Sequence, residues 1–163
     1  MINIKKSATA VIIFFLLILL SQGEAEAAFS ITLNYFSIDF GNMDMGAIKE
    51  DIPSNGLVVT CTTDQGNSWS LKIRDDYPLR HVSDPSSMIP NTNLKWYGLS
   101  TSDPSNTSLV TTREDFTIER TIYMGAAGEG ASGTNITMKF ELTLPPALQS
   151  GTYGTNIVFT LTE

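Results

Sequence analysis

Ile136-Thr137-Met138-Lys139-Phe140-Glu141-Leu142-Thr143-Leu144 alternates apolar and polar side chains without an error across nine positions. Successive side chains of an extended chain point to opposite faces, so this stretch reads as a half-buried β-strand. After Pro145-Pro146 and a short polar link, Gly151 opens a second run, in which Tyr153, Ile157, Phe159 and Leu161 share one face while Asn156, Thr160 and Thr162 take the other. Two such runs across a Pro/Gly-bearing link predict an antiparallel hairpin. Its apolar face is the longest in the chain, and the remaining strands must cover it.

Working outward, Phe29, Ile31, Leu33 and Tyr35 alternate, and the phase slips at Tyr35-Phe36 before resuming as Phe36, Ile38 and Phe40. A slip of one residue is what a β-bulge or a change of sheet produces. Asn42 to Asn55 reads as a loop with a short extended piece near Ala47 to Ile52. Leu57 to Thr63, with Leu57, Val59 and Cys61 inward, and Trp69, Leu71 and Ile73 across the turn Asp64-Gln65-Gly66-Asn67 predict a second hairpin. Asp75 to Asn93 loses periodicity and holds Pro78, Pro85 and Pro90, as a connection between sheets does. Leu94 to Ser100 is a strand centred on Trp96 and Tyr97. A long strand from Asp115 to Gly125 places Phe116, Ile118, Ile122 and Met124 inward. Arg120 interrupts its apolar face where that face reaches solvent or meets a carboxylate. Gly125 to Gly133 reads as a flexible tip. About seven strands with no helical period predict an all-β, antiparallel, immunoglobulin-like β-sandwich.

The first 27 residues read as a secretory signal peptide: Lys5 and Lys6, the apolar stretch Ala10 to Leu20, and the small-x-small site Ala25-Glu26-Ala27. Eleven apolar residues fall short of the about 20 that a permanent membrane span needs. Cleavage leaves residues 28–163 as one domain, exported to the periplasm, the cell surface or the extracellular space. Removing two Lys and two Glu from 10 basic and 17 acidic residues leaves 8 and 15, a net charge of −7. That balance argues against nucleic acid or anionic lipid as partner, both of which demand clustered Lys and Arg.

Catalytic, cofactor-binding and metal constellations are not evident in the sequence. His81 is the single histidine, without a nucleophile at usable spacing, and zinc sites built on histidine need more than one. Asp75-Asp76 and Glu114-Asp115 are adjacent pairs whose members point to opposite faces. A calcium loop around Asp75, Asp76 and Asp84 is the metal alternative to solvated loop charge. Trp69, Trp96 and Tyr97 raise a carbohydrate-stacking or cell-wall-binding module as the alternative function, with one of Trp96 and Tyr97 expected at the surface. Asn106-Thr107-Ser108 and Asn135-Ile136-Thr137 match the glycosylation sequon. Cys61, the lone cysteine, reads as a small buried hydrophobe.

Phe40-Gly41, the run Leu57-Val58-Val59-Thr60-Cys61-Thr62 followed by Trp69-Ser70-Leu71, Leu94-Lys95-Trp96-Tyr97-Gly98-Leu99, and Ser150-Gly151-Thr152-Tyr153 leading into Ile157 to Thr162 fall in an order that resembles the spore coat protein U family. These exported bacterial domains include pilin subunits of archaic chaperone-usher systems. The chain departs from the family's usual pair of cysteines, since only Cys61 stands. The terminal Gly-x-Tyr strand and Trp69-Ser70-Leu71 are also similar to cell-wall-binding WxL domains. The first resemblance implies an incomplete sandwich whose groove accepts a strand from a periplasmic chaperone and then from the next subunit. Phe29, Ile31, Leu33 and Tyr35 are its donor-strand candidates or, equally, the first strand of a self-complete domain. Tyr153, Ile157, Phe159 and Leu161 would border the groove. The expected protein is a non-enzymatic surface or structural protein acting through protein partners.

Overall fold

The computed structural model describes residues 29–50, 55–64 and 66–163. The signal-peptide reading lies outside the described residues. Twelve β-segments carry the described chain: β1 (Ser30–Leu33), β2 (Ile48–Glu50), β3 (Leu57–Thr62), β4 (Trp69–Asp75), β5 (Leu79–His81), β6 (Met88–Ile89), β7 (Leu94–Thr101), β8 (Glu114–Asp115), β9 (Arg120–Gly125), β10 (Thr134–Thr143), β11 (Tyr153–Gly154) and β12 (Ile157–Thr162). The helical content among them is one 3-10 turn, Asn91–Asn93. Every ladder is antiparallel.

One sheet has the order β1-β3-β10-β7-β8, with β2 also on β10; the facing sheet is β12-β4-β9, and β11-β5-β6 form a small third sheet. The alternations put their apolar members inward as predicted: Leu57, Val59 and Cys61 on β3, Trp69, Leu71 and Ile73 on β4, and Ile136, Met138, Phe140 and Leu142 on β10 are all buried. These side chains meet in one core with Trp96, Ile122 and Tyr123. Cys61 is fully buried, and its burial pushes the thiol up to about 12.

Neither predicted hairpin forms. β10 pairs with β2, β3 and β7, whereas β12 pairs with β4. β3 pairs with β1 and β10, and β4 with β12 and β9. Each pair of consecutive alternating runs faces its mate across the core instead of lying beside it. Period two records which face is buried and is silent about which strand is the neighbour.

Three further expectations change. The first strand stops at Leu33: Asn34 accepts Val58 N–H on its side chain at 2.8 Å, and the ladder ends there. The phase slip marks that exit, and Phe36 beyond it is 96% exposed. The strand drawn from Asp115 to Gly125 is broken, because Asp115 Oδ1 takes the N–H and hydroxyl of Thr117 in a tight turn. Ile118 therefore faces solvent, as does Met124. The glycine-rich tip is tethered by Glu129, whose carboxylate accepts from Tyr123 Oη, Ala126 N and Asn106 Nδ2, while its carbonyl takes Trp69 Nε1 at 2.7 Å. Burial and that carboxylate raise the Tyr123 phenol.

Candidate functional site

The two lateral seams of the sandwich differ. Between β7 and β9 the chain lays its own strap, residues 106–110. Gly98 N–H donates to Val110 O at 2.8 Å and Val110 N–H to Ile122 O at 3.0 Å. Ser108 Oγ donates to Met124 O at 2.7 Å and accepts Met124 N–H, and Asn106 Nδ2 donates to the same carbonyl. On the opposite seam β1 and β12 approach each other, but among the described residues each has one ladder partner, β3 and β4 respectively. That seam opens into a groove of about 960 Å³.

The groove is built from two segments. One wall is the segment after β1, with Tyr35, Phe36, Ile38, Phe40 and Met43; the other is the stretch through β11 into β12, with Leu148, Tyr153, Ile157 and Phe159. Leu57, Leu79, Ile89, Leu94, Phe140 and Leu142 form the floor, so the groove reaches the core itself. Asp39 is the one charged residue in its lining.

The sequence-predicted residues sort around this trough. Tyr153, Ile157 and Phe159 line it, and Leu161 turns into the core instead. The proposed single run is two strands, since Thr155-Asn156 separates β11 from β12; Thr155 Oγ1 donates to Tyr77 O at 2.5 Å and Asp76 N–H to Asn156 O at 3.1 Å. Ile31 and Leu33 are paired within their own chain, opposite Cys61 and Val59. Leu33 and Tyr35 line the groove, while Phe29 is 42% exposed. The donor-strand candidates thus occupy the edge of the chain's own sheet and one lip of the trough.

Trp69, Trp96 and Tyr97 do not form a stacking platform. Trp69 and Trp96 are buried, and so is Tyr97, although one of Trp96 and Tyr97 was expected at the surface. The Arg113 guanidinium lies over the Tyr97 ring, 4.6 Å from its centre, and Tyr97 Oη donates to Glu50 Oε1 at 2.5 Å. Burial, aided by that bond, pushes the phenol up to about 12. Asn106 spends its amide nitrogen on Met124 O and Glu129, whereas Asn135 is exposed on β10 and accepts from Thr60 Oγ1.

The acids are dispersed. Asp75 accepts from Asn91, Asp76 pairs with Arg74 at 2.7 Å, and Asp84 accepts from Ser86. Glu114 lies 3.3 Å from Arg120 Nε, the second of the two surroundings expected for that arginine, solvent or a carboxylate. Among the described residues no three His, Cys, Asp or Glu side chains gather as a metal site. Burial raises Asp75, while the hydroxyl and N–H of Ser86 hold Asp84 below the usual carboxylate range.

His81 is buried on β5 with both ring nitrogens engaged. Nδ1 accepts Ser83 N–H at 3.2 Å and Asp84 N–H at 3.1 Å, so it carries no proton, and Nε2–H faces Ser150 O at 3.3 Å. An imidazole so committed offers no free lone pair to a substrate. Sequence reasoning missed three features: the N-terminal lip, the Glu129 tether and this histidine. The lone acid among the tip glycines was a readable signal for the second. His81 gave none, because its partners are main-chain atoms.

No protein-family model matches the chain, and no curated protein matches it. No helix among the described residues is long and apolar enough to cross a membrane.

Proposed function

We propose that this chain is an exported, non-enzymatic surface or structural protein, pilin-like or coat-like, which takes up an extended strand from a protein partner along the outer edge of β12. The observation that carries the reading is the coincidence of a ladder edge left unpaired among the described residues with a groove beside it whose floor is the apolar core. Strand addition needs both: main-chain groups free to bond, and pockets for alternate side chains.

The topology supports it. In immunoglobulin constant-type sandwiches, strands A-B-E-D face C-F-G. Here β1-β3-β10-β7 repeats the first order and β12-β4 the F-C neighbours, so the edge left open is where G would pair. The proposed partners are a periplasmic chaperone strand during export and a second copy of this chain on assembly. The leader read in residues 1–27 supports export, and the committed His81 and dispersed acids support a role without catalysis.

The test uses a peptide covering Phe29 to Phe40. Added to the chain from residue 28, it should slow amide exchange along β12 and shift the elution volume; added to a variant that begins at Gly41, it should restore a folded species. An unchanged β12 exchange pattern and elution in the first experiment would refute strand uptake.

A further inference from the structure

We propose that His81 is an acid-released clamp on the carboxyl-terminal wall of the groove. Ser150 to Tyr153 belong to that wall, and the ring of this residue is one of the contacts that hold them to β5. Its ring nitrogen Nε2 donates to Ser150 O. The ring meets Tyr153 edge-on, with centres 5.1 Å apart and planes at 81°. Tyr153 lies opposite His81 in the two-residue ladder β5-β11. Its hydroxyl donates to Gln149 O at 2.8 Å and accepts from Ser87 Oγ at 2.7 Å. Val82 N–H adds a bond to Thr152 O at 2.9 Å.

The approach is tight enough to require glycine: a Cβ on Gly151 would stand 1.9 Å from His81 Nε2. The wall is therefore seated on the imidazole, and the seat works in one protonation state. Nδ1 must be a bare lone pair, because two main-chain N–H groups point at it. A proton on Nδ1 would set three N–H groups against one another, and the ring must swing away. Its hold on Ser150 and Tyr153 goes with it.

The surrounding charges permit this. Asp84, on the loop after β5, is the acid near the ring; its carboxylate is turned to Ser86, and it favours the cation without accepting from it. Arg80, the preceding residue of β5, is directed over the Tyr77 ring at 4.9 Å. Tyr153 stands on β11 as a phenol. β6 and residues 148–151 bring no charged side chain. The consequence for strand uptake rests on the function proposed above; the clamp does not.

Amide exchange of the chain from residue 28, corrected for intrinsic pH dependence, should be compared at about pH 7.5 and about pH 5, on either side of the ordinary imidazole range. Ser83, Asp84 and residues 149–153 should exchange about tenfold faster in acid, the equivalent of one net hydrogen bond, with β3 and β10 unchanged. His81→Asn places an amide oxygen near the position of Nδ1 and should abolish the difference. Should that variant not fold, ring-nitrogen NMR of the unaltered chain replaces it: protonation must move the Ser83, Asp84 and Ser150 signals together. Equal protection at both pH values, or a titration that leaves those signals in place, overturns the clamp. Peptide binding read in parallel separates the two proposals: absent at both pH values, it defeats strand uptake alone.

Discussion

The strap seam and the groove seam are two edges of one sandwich, treated in opposite ways. At β7 and β9 the chain folds residues 106–110 into the gap, and main-chain bonds reach both sheets. At β1 and β12 no ladder pairs across the gap among the described residues, and Tyr35, Phe36 and Met45 stand 42, 96 and 53% exposed along one lip. A bare strand edge invites another chain, and proteins usually cover or charge it. Covering one edge while leaving the other uncovered among the described residues is the contrast on which the proposed strand uptake rests.

The largest effect should come from the closed side. Glu129→Ala leaves the buried Tyr123 hydroxyl without this acceptor, frees the N–H of exposed Ala126, and leaves Asn106 Nδ2 with Met124 O alone. At about 1 to 3 kcal/mol per unsatisfied buried group, denaturant unfolding should show a loss of up to about 3 kcal/mol. Equal stability of the variant would mean that the tip does not lock this seam.

A pair of glycine substitutions sharpens the contrast. A Cβ on Gly98 would lie 2.6 Å from Leu109 Cδ1 and 2.9 Å from Val110 O, whereas one on Gly154 would meet nothing within 4 Å. Gly98→Ala should cost about 1 to 3 kcal/mol by overpacking, and Gly154→Ala within about 0.5 kcal/mol of nothing. Thermal unfolding of the two variants side by side decides it.

On the open side, Ile157→Ala and Phe159→Ala should each cost about 1 kcal/mol, since each side chain is half-buried. Their main effect should be weaker uptake of the Phe29 to Phe40 peptide, measured by titration. A large stability loss with unchanged peptide binding would reverse the roles of the two seams.

The smallest effect is acid sensitivity shared by both sides. Asp84, Asp103 and Asp115 are held below the usual carboxylate range, first by the hydroxyls of Ser86, Ser105 and Thr117 and then by main-chain N–H groups. A depressed carboxyl stabilises the fold above its ordinary value, about 4, and that contribution disappears as the pH falls through the lower folded value. Unfolding midpoints should therefore decline below about pH 4, and Asp115→Asn should flatten the decline slightly.

Alternation made the strands and their inward residues readable: Val59, Leu71, Ile136 and Phe140 all went where period two sent them. Side-chain signals failed where main-chain or distant groups decided. The Asn34 side chain ended β1, the Asp115 turn split the strand through Ile118, and Arg113 closed over Tyr97. Half of the groove was legible, in Tyr153, Ile157 and Phe159; the lip after β1 was not, because its apolar residues looked like more strand.

By itself the sequence determined an all-β body and the set of side chains inside it, because burial of alternate residues is written locally, every second position. Tertiary structure alone decided that β10 and β12 would face rather than flank each other, that one seam would be strapped and the other left open, and that a histidine would seat the groove's wall. Strand neighbours are chosen through main-chain groups that every residue shares, so no run of side chains names its partner.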